Sequence, residues 1–371
     1  MNTNDKIGIC DISEEADVYK FTLKNINISY ANAIRRTILS EIPVCVIRTE
    51  DESVNQCKIE INTGKLTNEI LKHRLSCIPI HLTELDLLPD KYELEVDVTN
   101  DTDTIMYVTT EQFRIRNKAN GNYLTTKQMA EIFPPNKLTN QYIDFTKIQP
   151  KRSDMIPGER IKLTADFSIS NAKVNSMFNV VSKCTYSNTM DRETGKKKWD
   201  EHKKILESKQ TTAEDIQFEM VNFQLLDAQR YYIENSFDFT IQTIGIYSNI
   251  EIIKETCKVL NKKFQDLIDA TETDIVPIHI SETTMDNCWN IVLENEDYTI
   301  GKILEYILYE QFYKKDKSLS FCGFRKLHPH NVESIIRIAF SQPSDRDKVR
   351  HYLKYACEEA IKVITQINRL F

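Results

Sequence analysis

The chain has 371 residues, 41% of them hydrophobic and 28% charged, with a net charge of −7. That is enough for two or three domains with real cores. It contains no apolar run approaching the ~20 residues of a membrane span, and its acidic balance argues against a protein that holds DNA mainly through its own phosphate contacts. The polar, acidic start at residues 1–16 is no secretory signal.

Along the chain, Tyr19, Phe21 and Leu23 alternate with Lys20, Thr22 and Lys24, the pattern of a half-buried strand. A helix follows, with Ser29 read as its cap and Pro43 as its stop. Ala31, Ile34, Ile38 and Ile42 share one face, and Arg35 and Arg36 sit on the other. Strands are predicted at 44–47 and 57–61, then a second helix from Thr67 to Pro79. From 82 to about 160 the texture changes: strands at 92–98 and 105–110, and a short helix at 126–133 ended by Pro134 and Pro135. A strand is expected at 161–167, a charged loop or exposed helix at 191–210, and a strand at 236–245. Ser248 and Glu251 then form a capping box in front of Ile253, Cys257, Leu260, Phe264 and Leu267. Those five step 4, 3, 4, 3, a narrow seam that wants a partner helix.

After a polar connector the pattern restarts. Trp289, Ile291 and Leu293 alternate, Thr299 opens a helix, strands are predicted at 319–326 and 334–340, and a last helix carries a second seam. That seam is Val349, Leu353, Ala356, Ala360, Val363 and Ile367, continuing to Leu370. Strand, short capped helix, strands and long seam helix thus occur twice, a diverged internal repeat. A unit with one open seam can bury it against its twin, giving a pseudo-two-fold pair within one chain.

Catalytic signatures are missing. There is no Walker loop, HExxH, GxSxG or GxGxxG. Asp101 and Asp103 stand among Thr and Asn in a turn, and His328 and His330 flank Pro329, so each pair reads as structural. The nine cysteines (Cys10, Cys45, Cys57, Cys77, Cys184, Cys257, Cys288, Cys322 and Cys357) are scattered without a CxxC pair. They point to reduced structural thiols in a cytosol-like compartment, with no cofactor and no metal site. The basic runs at Lys151–Arg152 and Lys196–Lys198 read as solvated faces.

Asn32, Ala33, Arg35, Arg36, Glu41 and Pro43, followed by His73, Arg74, Leu75, Ile78 and Pro79, resemble the two-helix signature of α-like subunits of multisubunit DNA-directed RNA polymerases. Residues 171–176 are similar to that family's HAKW stretch, with Asn171 and Val174 in place of its His and Trp. In the second half, Glu296–Leu304 resembles the EDHTLGNLL stretch of the small L-type partner subunit, with Tyr298 for its His, and Phe321–Pro329 resembles its FxGYxxxHP. The resemblance implies an α+β fold in which two dimerisation modules form an intramolecular pseudo-dimer. One module is 1–81 with 161–270, interrupted by a mostly-β middle domain at 82–160. A connector at 271–287 leads to the L-like module at 288–371.

By the same resemblance the chain is a non-catalytic platform joining the largest and second-largest subunits. Arg35, Arg36, Glu41, His73 and Arg74 would face the second-largest one, and a small zinc-binding subunit would be a further partner. The structural alternative pairs Arg35 or Arg36 with Glu41 or Glu69. The middle-domain metal of some relatives is not carried over, since 82–160 contains no cysteine. Nucleic acid would be met only through the complex, and no membrane is involved. A fusion of the two subunits resembles those of large cytoplasmic DNA viruses, which implies host cytoplasm and virion. The competing reading is a repeat-built interaction protein outside transcription, and a weaker third is a hydrolase using one Cys.

Overall fold

The computed structural model describes residues 6–153 and 157–371. In chain order, β1 (Gly8–Glu15) and β2 (Val18–Lys24) are followed by α1 (Ile28–Ser40), β3 (Val44–Val46), β4 (Cys57–Asn62) and α2 (Asn68–Ser76). Next come β5 (Tyr92–Thr99), β6 (Met106–Thr109), β7 (Arg114–Asn117), α3 (Thr126–Ile132), β8 (Asp144–Ile148), β9 (Arg160–Asp166), β10 (Ser168–Ser170) and β11 (Val181–Met190). The rest is α4 (Arg192–Ser208), α5 (Ala213–Leu225), β12 (Tyr232–Thr243), α6 (Asn249–Glu272), β13 (Ile278–Ile280), β14 (Cys288–Glu294), α7 (Tyr298–Leu308), β15 (Leu319–Arg325), β16 (Glu333–Phe340) and α8 (Arg346–Asn368). The chain divides into two compact units.

The first unit holds residues up to Thr37, Lys183–Gln242 and Ile253–Phe371. It contains two four-stranded sheets, ordered β1-β2-β12-β11 and β13-β14-β16-β15. In the first, β2 pairs antiparallel with β12, Phe21 opposite Phe239 and Leu23 opposite Phe237. In the second, β14 pairs antiparallel with β16, Ile291 opposite Ile336. The repeat extends to the helix starts, with one correction. Ser29 and Thr299 are not the caps: Asn27 Oδ1 accepts from Ser29 N and Asp297 Oδ1 accepts from Thr299 N, each at 2.9 Å. Asn and Asp are themselves strong capping residues, and two residues earlier they reach the free N–H first. Gly301 has a packing reason. The Phe324 ring lies so close to α7 that a Cβ at 301 would stand 2.0 Å from it.

The long helices bury the predicted seams. Ile253, Cys257, Leu260 and Phe264 on α6 are at most 1% exposed. Leu267 is only half-buried, and Ile268 takes the inward position, as a 3.6-residue period requires. On α8, Val349, Leu353, Ala356, Ala360 and Ile367 are at most 1% exposed, and Val363 is also buried. Each large apolar side chain so buried contributes about 1.5–3 kcal/mol.

Several contacts join residues 6–272 of this unit to residues after 272. Lys263 pairs with Glu296 at 3.1 Å and Lys354 with Glu272 at 2.5 Å. The Phe21 and Phe371 rings meet edge-on at 5.1 Å. The connector is shorter than expected, because α6 runs on to Glu272 and Ile278–Ile280 adds to β14 as an edge strand.

The charged stretch after residue 190 is helix. Asp191 caps α4 and Thr212 caps α5, and Trp199 meets Phe223 at 5.5 Å between them. Phe218, Val221 and Leu225 form an exposed apolar stripe on α5.

The second unit holds Ile38–Ser182 and Thr243–Ile252. Its main sheet is β4-β9-β5-β7. Block 82–160 is therefore not a self-contained domain. Its strand β5 pairs with β9 from Glu93 opposite Asp166 to Thr99 opposite Arg160. Leu94, Val96, Phe113 and Phe145 share one core with Leu71 and Leu75 of α2 and Leu163 of β9. The core around β5 draws on residues from both sides of position 82, so the boundary at 82 falls inside a packed core.

Candidate functional site

In the first unit, the cap of α7 and the exposed side of α1 meet through Arg36. Its Nε donates to Thr299 Oγ1 at 2.9 Å, and its Nη2 donates to Asp297 Oδ2. Asp297 therefore serves two groups: Oδ1 caps α7 and Oδ2 takes the guanidinium. The pair is about a quarter to a third exposed, a depth at which a charge-assisted bond contributes while solvent still screens it. Sequence suggested Glu41 or Glu69 as a partner; the structure places Asp297 against Arg36. Arg35 turns back along its own helix, with Nε and Nη2 both on Asn32 Oδ1 at 3.3 and 2.9 Å.

The other predicted contact residues belong to the second unit. Glu41 is 8% exposed, with Lys173 Nζ at 3.9 Å. Lys173 N also donates to the Ser40 carbonyl at 2.6 Å, and Tyr247 Oη donates to the Pro43 carbonyl at 2.9 Å. On α2, Arg74 does not project outward as a free fork. Its Nε donates to Phe145 O at 2.6 Å and its Nη2 to Asp144 O at 2.7 Å, tying α2 to β8. His73, beside it, is exposed. Arg35 and Arg36 belong to the first unit, and Glu41, His73 and Arg74 to the second.

Sequence reasoning missed Asp297 as the partner of Arg36. The available signal was the repeat, which places Asp297 on the position of Asn27. It also missed the Lys263–Glu296 pair, which no spacing rule reveals.

Nothing in this arrangement assembles a reacting centre. Burial pushes the Cys45, Cys184 and Cys257 thiols up to about 12, which keeps them protonated and poor nucleophiles. Asp101 and Asp103 are exposed in a turn organised by Asn100, whose Oδ1 accepts from Thr102. His330 N donates to His328 Nδ1 at 3.2 Å, a local turn. Among the described residues no three His, Cys, Asp or Glu side chains gather as metal ligands, and no helix is long and apolar enough to cross a membrane.

Fold and contacts together define a protein of two related α+β modules joined, within the first unit, by the Arg36 contact with the α7 cap and by the Lys263–Glu296 ion pair. The family model "RNA polymerase Rpb3/Rpb11 dimerisation domain" matches residues 20–264, and a second model of the same description matches residues 288–369. The chain belongs to this RNA polymerase dimerisation-domain family, and carries its module twice. Among curated proteins it is similar to DNA-directed RNA polymerase subunit Rpo3 of Pyrococcus furiosus, 34% identical over 101 residues, 26% of this chain and 36% of the relative. It is similar to DNA-directed RNA polymerase II subunit RPB3 of Schizosaccharomyces pombe, 33% identical over 89 residues, 24% of this chain and 27% of the relative. It also resembles subunit 3 of DNA-directed RNA polymerases II, IV and V of Arabidopsis thaliana, 36% identical over 75 residues, 20% of this chain and 21% of the relative. The matched part spans about a third or less of these relatives' own lengths.

Proposed function

We propose that the chain is a non-catalytic assembly subunit of a DNA-directed RNA polymerase, on which the largest and second-largest subunits are brought together. The observation that carries this is the doubled dimerisation module, its halves joined within one unit by Arg36–Asp297 and Lys263–Glu296. Two copies of a module whose relatives are polymerase subunits favour this over a scaffold outside transcription. The seams Ile253, Cys257, Leu260, Phe264 and Leu267 and Val349, Leu353, Ala356, Ala360, Val363 and Ile367 are read as the pseudo-dimer interface.

Partner contact is assigned to His73, exposed on α2, and to the face of α1 that carries Arg35. Arg36, Glu41 and Arg74 are proposed to take part in the same contact, with Arg36 and Arg74 held in place by their bonds to Thr299 and Phe145. A small zinc-binding polymerase subunit is a further partner, and nucleic acid is met through the complex. A fusion of the two modules resembles those of large cytoplasmic DNA viruses, and on that resemblance host cytoplasm and virion are the proposed locations. The test is to tag the chain in its native source and identify what co-purifies. The two large polymerase subunits are expected in stoichiometric amounts, and the chain alone should synthesise no RNA. Purification without them, or RNA synthesis by the pure chain, would overturn the reading.

A further inference from the structure

The repeat makes a point-by-point comparison possible inside the first unit. The sequence register that sets Leu23 on Leu293 and Asn27 on Asp297 also sets Ser29 on Thr299, Arg35 on Glu305 and Arg36 on Tyr306. At one pole of the pair, Arg36 spans the gap to Asp297 and Thr299. At the mate pole Tyr306 replaces the arginine and packs edge-on against Tyr30, ring centroids 6.4 Å apart. There a cavity of about 520 Å³ remains, lined by Asn27, Ser29, Tyr186, Glu305, Tyr306 and Tyr309 among others. Ser29 Oγ is buried with no hydrogen-bond partner, while its counterpart Thr299 Oγ1 accepts from Arg36. We propose that this cavity binds an arginine side chain presented by a partner polypeptide, its guanidinium taking at Asn27, Ser29 and Glu305 the place that Arg36 takes at Asp297 and Thr299.

The lining suits that group. It offers oxygen acceptors and three tyrosine rings, and a guanidinium uses both, through forked N–H bonds and by stacking over aromatic faces. The cations near the cavity are already engaged. Lys302 pairs with Glu305 Oε2 at 2.5 Å, Arg35 with Asn32, and Lys314 with Glu310 at 2.6 Å. Glu305 Oε1 accepts from Phe324 N at 3.0 Å, which holds the carboxylate in place. An apolar anchor would leave Ser29 Oγ unsatisfied, and an ammonium cannot fork. The volume lies within the usual range for a single bound group of this size. The inference stands whichever complex the chain joins.

The full chain would be titrated with N-acetyl-arginine methylamide and with its lysine and phenylalanine counterparts, followed by NMR. The arginine probe should bind with a dissociation constant on the order of millimolar and at least about fivefold tighter than the other two, the margin expected of one forked contact. Ser29→Ala and Glu305→Gln should each weaken it about five- to tenfold, with the unfolding midpoint read by tryptophan fluorescence kept. Tyr306→Arg should fill the cavity from within, raising the midpoint and abolishing probe binding. Equal binding of the three probes, no binding of the arginine probe, or binding indifferent to Ser29→Ala and Tyr306→Arg would each overturn the proposal.

Discussion

A double-mutant cycle on Arg36 and Asp297 tests whether the two modules are fastened where the structure places the fastening. Asp297→Ala removes both the α7 cap and the ion pair. A lost cap costs ~1 kcal/mol, and a pair a quarter to a third exposed adds ~0.5–1 kcal/mol after solvent screening. Asp297→Asn is the sharper change, because Asn caps as well as Asp does while carrying no charge. Arg36→Met keeps the stem and removes the fork. Combined, the two should show a coupling of ~0.5–1.5 kcal/mol, including what the Arg36–Thr299 bond shares with the pair. The protein has two tryptophans, Trp199 and Trp289, both in the first unit. Denaturant unfolding followed by Trp289 fluorescence in a Trp199→Phe background therefore reports this unit alone. The thermal midpoint should move by about 2–4 °C per kcal/mol. A coupling below ~0.3 kcal/mol, the usual additivity error, would show that Arg36 and Asp297 act independently and that the contact fastens nothing.

Cutting the chain near Glu282, between β13 and β14, should leave two pieces that elute together from a sizing column, since the connector only supplies an effective concentration on the order of millimolar; separate folded pieces would end the pseudo-dimer model. Leu260→Asp should split them by burying an unpaired carboxylate, and unchanged co-elution would place Leu260 outside the interface. Gly301→Ala should destabilise the first unit by ~1–3 kcal/mol through overpacking against Phe324, with Phe324→Leu in the same chain recovering part of the loss; a neutral result would mean the ring moves freely. His81 is held below the usual histidine range by burial, against an opposing hydrogen bond to the Gly245 backbone. The unfolded state therefore takes up its proton first, and stability falls as pH drops below about 6.5; an NMR titration showing an ordinary value for His81 would refute this.

Much of the architecture was legible because the chain repeats itself. Tyr19, Phe21 and Leu23 and then Ile291 and Leu293 mark the inner strands, and the seams of α6 and α8 declare themselves by spacing. What stayed hidden has identifiable causes. Asn27 and Asp297 were passed over for Ser29 and Thr299 because all four are capping residues, and only backbone geometry chooses between them. Block 82–160 read as separate because its texture differs, yet β5 hydrogen-bonds to β9 across some sixty residues of chain, and local composition carries no trace of strand pairing. The strand at 278–280 is too short to alternate visibly. The α5 helix was missed because its apolar stripe faces outward and no core pattern marks it. As for the site, Arg36 was legible as special, but its partner lies more than 250 residues away.

The two sheets of the first unit differ in how soon a growing chain can complete them. In the second, β14 finds β16 within about fifty residues, so its pairing is local and quick. In the first, β2 must wait for β12, which follows it by about two hundred residues. At ~5–20 residues per second that interval is on the order of ten to forty seconds, during which Phe21 and Leu23 have only the β1 hairpin for company. The first module thus emerges with an unfilled slot in its sheet. Its hydrophobic edge is exposed to chaperones, or to a wrong strand, until residues 232–243 leave the ribosome.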